Sequence, residues 1–224
     1  MSAELCDQIA TIRRTLRHIS KDRIIFLDET HLRLHETPLN TIVLPGEKPI
    51  LQSAATANFA PRFDMIAFCT GAETLLPMNY APKERGKGIT TAMLIQFIDD
   101  IWAQAVGALD RYPLYLVLDC ASIHNEEKIF EALHDRGRGE IVKIIKMPAH
   151  SAKRLSPLDN AIFHDWKQLA RRMQPLSLRN MKRVMSDAWE QVSAADLRAH
   201  YYSCGLYDDR SLYFDCPAPS IHKH

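Results

Sequence analysis

The chain of 224 residues is 46% hydrophobic and 25% charged, with a net charge of +1, the balance of an ordinary globular protein. No apolar run approaches the roughly 20 residues needed to span a bilayer, and Met1 to Arg14 lacks the apolar core of a secretory signal, so no membrane partner is expected. The expected setting is intracellular, nuclear in a eukaryote and cytoplasmic in a bacterium. Five cysteines, never in a C-x-x-C pair, predict neither a disulfide framework nor a zinc site.

In chain order, Leu5, Ile9, Ile12, Leu16 and Ile19 form one stripe and predict an amphipathic helix over 3–20. A buried strand follows over 23–29. After a stretch with Pro38, Pro45 and Pro49, residues 50–59, 63–70 and 74–80 predict two or three further strands joined by short gaps. A charged loop carries Lys83, Arg85 and Lys87. Thr90 or Thr91 then caps a long helix to about residue 109, with Met93, Phe97, Ile101 and Ala105 at helical spacing. Residues 113–120 predict a strand, 126–136 a helix closed by Gly137 and Gly139, 141–147 a strand and 156–173 a helix. Beyond Pro175, residues 178–192 and 194–202 read as helical, and the tail from Tyr207 as irregular.

This order, an antiparallel meander followed by alternating α and β, predicts a mixed five-stranded sheet with helices on both faces and a C-terminal helical extension. It is the order of the ribonuclease-H-like α/β fold. The expected divisions are a helix and linker over 1–22, the catalytic domain over 23–174 and the extension over 175–224. Trp102, Trp166 and Trp189 fall on apolar stripes and are expected in the core.

Two apolar runs end alike: Ile24–Leu27 runs into Asp28, and Leu116–Leu118 into Asp119. Right-handed crossovers would set these strands parallel and adjacent. A carboxylate at the end of a buried strand is costly unless a positive partner sits against it. Carboxylate oxygens are the ligands that hard divalent cations prefer. Two such ions would keep neighbouring acids ionised, activate a water or hydroxyl and stabilise a leaving oxygen. Asp159 lies in the first turn of the helix after Pro157, flanking the apolar stripe of Leu158, Ile162, Trp166, Leu169 and Met173, from where it can lean toward the other two. Residues 135–185 carry twelve Lys/Arg against four Asp/Glu, a cationic region suited to a polyanion.

The segments Phe26-Leu27-Asp28-Glu29-Thr30, Leu116-Val117-Leu118-Asp119-Cys120-Ala121-Ser122-Ile123-His124 and Met147-Pro148-Ala149-His150-Ser151, leading to Ser156-Pro157-Leu158-Asp159-Asn160, resemble the DDE superfamily endonuclease domain. Within it, mariner-like transposases and their bacterial insertion-sequence kin are the nearest in pattern. Cys120 stands where the family usually has Asn, and Ala152-Lys153-Arg154 interrupts the third motif. The resemblance implies that Asp28, Asp119 and Asp159 hold two Mg²⁺ or Mn²⁺ ions for cleaving and transferring DNA strands. It also implies DNA as partner, with a homo-oligomer or a separate DNA-recognition module. Such transposases carry an N-terminal helix-turn-helix region, and only about 20 residues precede the first strand here. The expectation is therefore a catalytic domain alone, a split reading frame or a domesticated remnant. The alternative function is a catalytically silent scaffold that binds nucleic acid or protein.

Among accessory residues, His124 is a candidate to contact the scissile phosphate or orient water, or to cap the following helix. Asn160 is a further accessory candidate. Alternation turns Glu29 away from Asp28, so a salt-bridge role is expected for it. His150, Lys153 and Arg154 form a candidate phosphate-contact loop, with Lys83, Arg85 and Lys87 a second one. There is no G-x-x-x-x-G-K loop, and no nucleotide cofactor is expected.

Overall fold

The computed structural model describes residues 1–33, 45–46, 48, 62–75, 79–82, 88–105, 113–173, 178–206 and 212–216, and of 79–82, 101–105 and 178 only the backbone. The strand expected over 50–59, the Lys83, Arg85 and Lys87 loop and the Trp102 side chain lie outside the described residues.

The chain opens with helix α1 (Ala3–Arg17), capped by the Ser2 hydroxyl, which accepts from Leu5 N–H at 3.2 Å. Strands β1 (Ile24–Arg33), β2 (Arg62–Thr70) and β3 (Asn79–Pro82) follow as an antiparallel meander. Then come α2 (Thr91–Ala105), β4 (Leu114–Leu118), α3 (Glu126–Asp135) and β5 (Ile141–Lys146). A single turn α4 (Ala152–Leu155) precedes a π-helical stretch, Leu158–Ile162, that runs directly into α5 (Phe163–Arg172). Helices α6 (Leu178–Ser193) and α7 (Arg198–Ser203) follow. No helix among the described residues is long and apolar enough to cross a membrane.

The sheet order is β3-β2-β1-β4-β5, with β1, β4 and β5 parallel; four longer strands form its body and the four-residue β3 its edge. The predicted placement of β4 beside β1 therefore holds. Strand alternation sorts the core into two layers. Ile24, Phe26, Met65, Ala67, Cys69 and Val117 face α1 and the helices from α4 to α7. Ile25, Leu27, Ile66, Phe68, Leu116 and Leu118 face α2 and α3. The terminal helices thus share a core with the sheet, and Trp166, fully buried, ties α5 to α6 by donating its indole N–H to Met185 O at 3.0 Å.

Several elements differ from expectation in ways that matter for the site. Strand β1, expected to end at Glu29, continues to Arg33 because β2 pairs with it from Ile25 opposite Thr70 to Arg33 opposite Arg62. Pairing with β4 stops at Phe26 opposite Val117. Asp28 therefore stands where one neighbour has stopped and the other has not. In α2, Met93 is 42% exposed, and Leu94, Phe97 and Ile98 form the buried stripe instead. The extra residue in the π-helical turn shifts the stripe of the following helix to Leu158, Ile162, Phe163, Trp166 and Ala170.

Candidate active site

Carried two residues past its last pair, Phe26–Val117, the parallel register would bring Asp28 level with Asp119, which lies just beyond the end of β4. On the other side Asp28 is opposite Ala67, whose small side chain leaves room for a carboxyl. Asp28 is only 5% exposed. One oxygen accepts from Glu29 N–H at 2.7 Å, whereas the other, Oδ2, is buried without a hydrogen-bond partner. Burial first, then the charges of Asp159, Glu29 and Asp119, hold this carboxyl well above the usual carboxylate range.

Asp159 sits in the first turn of the π-helical stretch, which packs against β1 and β2. Its charge is, after burial, the largest cause of the raised Asp28 pKa. Burial raises it above its ordinary value, the neighbouring Asp28 carboxyl works against this, Asp119 adds to the rise, and the charges of Lys153 and Lys167 oppose it. Neighbouring carboxyls that raise one another's pKa are relieved by a proton or by a cation. The orphaned Asp28 oxygen and an all-carboxylate donor set suit a hard divalent cation. Nonetheless, among the described residues no group of three or more His, Cys, Asp or Glu side chains converges into a ready-made metal cage.

Asp119 shows why. The chain turns back immediately after β4, with Ala121 N–H donating to Asp119 Oδ1 at 2.8 Å, and His124 Nδ1 lies 2.5 Å from the same oxygen. Nε2 of His124 lies 2.8 Å from Glu29 Oε1. His124 is fully buried between these two carboxylates. Burial would lower its pKa, but the two carboxylates reverse this and raise it to about 10, so the ring is an imidazolium that donates from both nitrogens. Burial likewise works to raise Asp119; the bonds from His124 and Ala121, with the charges of His124 and Lys146, overcome it and hold Asp119 below its ordinary value.

Both ring nitrogens of His124 are thus spent on carboxylates, leaving neither for a phosphate. The cap of α3 is Asn125, whose side chain accepts from Lys128 N–H at 2.9 Å. The salt-bridge role expected for Glu29 is observed, and its partner is His124. Sequence reasoning missed that pairing. The signal was there: Glu29 lies one residue past the first acid and His124 five past the second, on strands read as neighbours.

The other candidates are placed differently. Asn160 donates to Lys153 O at 2.6 Å and accepts from Ser203 Oγ at 2.5 Å, tying α4 to α7. His150 and Lys153 are exposed, and His150 has a positive φ of 64°. Arg154 is engaged: its guanidinium pairs with Asp215 at 2.9 Å, in a cluster centred on the fully buried Arg13. Arg13 and Asp215 were not anticipated, although Arg13 interrupts the apolar stripe of α1 between Ile9 and Leu16.

A family model described as DDE superfamily endonuclease matches residues 23–184. No curated protein matches the chain. Among solved structures, the Mos1 transposase paired-end complex with left transposon end is similar over 92% of this chain and 59% of its own, with a TM-score of 0.64 and 13% identity. The mariner Mos1 paired-end complex with Mg is similar over 90% of this chain and 57% of its own, with a TM-score of 0.62 and 15% identity. The catalytic domain of Mos1 mariner transposase is similar over 90% of this chain and 85% of its own, with a TM-score of 0.57 and 13% identity. These likenesses show a shared ribonuclease-H-like fold. The chain spans about six-tenths of the longer Mos1 chains, 59% of the first.

Proposed function

The chain belongs to the DDE superfamily endonuclease family, and from that premise we propose that it cleaves and transfers DNA strands with divalent cations held by Asp28, Asp119 and Asp159. The observation that carries this reading is the buried, unpartnered oxygen of Asp28, in a carboxyl that the charges of Asp159, Glu29 and Asp119 all act on. A buried carboxyl with an unpartnered oxygen is destabilising, and such groups cluster at functional sites. Mg²⁺ or Mn²⁺, two ions in this reading, supplies the neutralising charge and the Lewis acidity for phosphodiester chemistry.

The chain's own residues supply the rest. Asp28 and Asp159 offer oxygens from the sheet and from the helix over it. The imidazolium of His124, backed by Glu29, keeps Asp119 ionised and fixes its direction. Lys146, Lys153 and Lys167 place positive charge around the acids, which favours the approach of a polyanion. Water and then a DNA 3′-hydroxyl act as the nucleophiles. The Mos1 structures named above include complexes with a transposon end and with Mg, which supports DNA as partner and a divalent metal as cofactor. Recognition of particular ends falls to a homo-oligomer or to a separate module.

The test is nicking of supercoiled and end-labelled DNA with Mg²⁺ or Mn²⁺. Asp119→Asn should lower the metal-dependent rate by about 10³-fold while the melting curve in EDTA stays cooperative. Undiminished cleavage by that variant would overturn the proposal.

A further inference from the structure

The cations of residues 135–185 divide by whether the fold neutralises them. Arg136 and Arg138 pair with Asp99 at 3.2 and 2.7 Å, and Arg154 pairs with Asp215 at 2.9 Å. Arg172, Arg179 and Arg183 are exposed, and among the described residues none of the three has an ion-pair partner. They belong to one stretch, for between Asp165 and Asp187 the sequence holds six Lys/Arg and no Asp/Glu.

That stretch folds into the end of α5 and the start of α6. The two helices pack together, with the Trp166 indole donating to Met185 O at 3.0 Å, and Met173 at the end of α5 lines one surface groove with Arg183 and Val184. Helix α5 follows the polarity that a helix dipole favours, with Asp165 in its first turn and Arg171 and Arg172 in its last. Helix α6 inverts it: Arg179, Lys182 and Arg183 come first, and Asp187 and Glu190 follow. Arg179 is also three and four residues from Lys182 and Arg183, a spacing at which like charges repel. The buried stripe of Met181, Val184, Met185, Ala188 and Trp189 faces the core and leaves these cations outward. Both costs fall when an external polyanion lies against the corner.

We propose that this corner, formed by Arg172, Arg179, Lys182 and Arg183, is a second DNA-binding surface, which holds the phosphate backbone of duplex outside the cleaved position without reading its sequence. The identity of the polyanion rests on the DNA-cleaving reading above; the corner itself does not depend on the metal site. The π-helical stretch that carries Asp159 runs directly into α5, so the far end of α5 lies about 20 Å along the helix from that acid, roughly six base pairs of duplex. The corner therefore meets flanking DNA and not the scissile phosphate. Three of its four cations are Arg, whose planar fork matches phosphate oxygens in pairs. Each phosphate neutralised releases condensed counterions and steepens the salt dependence of binding.

The test measures binding of the full chain to labelled duplexes of two unrelated sequences by fluorescence anisotropy, over a salt series in EDTA. The readout needs neither metal nor cleavage, so its failure is distinct from failure of the acid site. The triple variant Arg172→Gln, Arg179→Gln, Arg183→Gln should bind both duplexes about 10–100-fold more weakly, with a log–log salt slope shallower by about 3. Its Tm should match or exceed that of wild type, because like charges have been removed, whereas a structural role predicts a lower Tm. Lys at the same three positions should recover most of the affinity. Gln at Arg14, Lys128 and Lys143, exposed cations elsewhere, should leave affinity within about threefold of wild type. Unchanged affinity or slope in the corner variant, an equal loss in the Arg14, Lys128 and Lys143 variant, or displacement of the duplex by polyglutamate at equal charge would overturn the proposal.

Discussion

Among the described residues, the surroundings of Arg13 and of Asp28 both bury charge, and they resolve it in opposite ways. Around Arg13 everything is matched: Nε donates to Cys204 O at 3.0 Å, Nη1 to Leu212 O at 2.8 Å and to Asp215 Oδ1 at 2.7 Å, and Nη2 to Asp215 Oδ2 at 3.1 Å. Arg154 adds a second cation to the same carboxylate at 2.9 Å. Around Asp28 the charge is not matched: one oxygen accepts from Glu29 N–H at 2.7 Å, the other has no partner, and Asp159, Glu29 and Asp119 add negative charge. A saturated ion-pair network gains rigidity and fixes one arrangement of the chain ends. An unsaturated one costs stability and gains an affinity for cations. The difference separates a structural cluster from a chemical one, although both are buried and both are made of common residues.

The largest way to break the contrast is to remove its structural half. Arg13→Ala leaves Asp215 facing Arg154 alone and strips three backbone carbonyls, at Cys204, Leu212 and Arg154, of their donor. It should cost about 3–5 kcal/mol in urea unfolding at neutral pH. Gly205 sharpens the same point. It has φ +69°, and a Cβ there would lie 2.8 Å from Arg13 Nε and 2.7 Å from the Phe214 ring, so Gly205→Ala should destabilise by about 1–3 kcal/mol in the same measurement.

The chemical half should respond with the opposite sign. Asp28→Asn removes a buried carboxyl whose ionisation its surroundings oppose, and in EDTA it should raise stability by about 0.5–2 kcal/mol while eliminating cleavage. A loss of stability in EDTA would mean that Asp28 is a structural group after all.

The positioning residues come next. Glu29→Gln removes the second anion from His124, and a 10–100-fold loss of metal affinity or cleavage is expected, with a smaller change in folding. His124 also gives the pH dependence its sign. Its folded pKa, about 10, exceeds the ordinary value of 6.5. The stability it contributes is therefore fully present below pH 6.5 and is lost as pH rises toward 10, by at most about 1.4 kcal/mol per pH unit. Denaturation midpoints across that window, wild type against Glu29→Gln, should show the shallower slope in the variant. Asp215 acts in the other direction. Its folded pKa is depressed; burial opposes this, and the bonds and charges of Arg13 and Arg154 prevail. Its stabilisation is held above the ordinary carboxylate range and lost as pH falls below it, a smaller effect read from acid unfolding with Asp215→Asn.

What was legible in the sequence follows this same division. Asp28 and Asp119 could be read as neighbours because an apolar strand pattern plus a right-handed crossover fixes adjacency, and the parallel register then sets them level. The helical stripe around Leu158 located Asp159. By contrast, the continuation of β1 through the polar Glu29-Thr30-His31 depends on a partner strand more than thirty residues away, which local composition does not encode. The π-helical turn moved a stripe by one residue, and single-residue shifts are invisible to periodicity. Arg154 was read as a phosphate contact from its charge and its place just before Asp159; its ion-pair partner Asp215, 61 residues later in a tail that looked irregular, could not be read there. Charge in a sequence indicates what a residue offers, and only the fold indicates whether the offer is already taken.

The central claim is that the acid cluster is a divalent-cation site, and calorimetric titration of Mn²⁺ into wild type, Asp28→Asn and Asp159→Asn tests it most directly. Run in two buffers of different ionisation enthalpy, wild type should show saturable binding with proton release, since the carboxyl held above its usual range must ionise to bind metal. Both variants should bind markedly more weakly. Wild-type-like binding in either variant, or no binding to wild type under conditions that support cleavage, would contradict it.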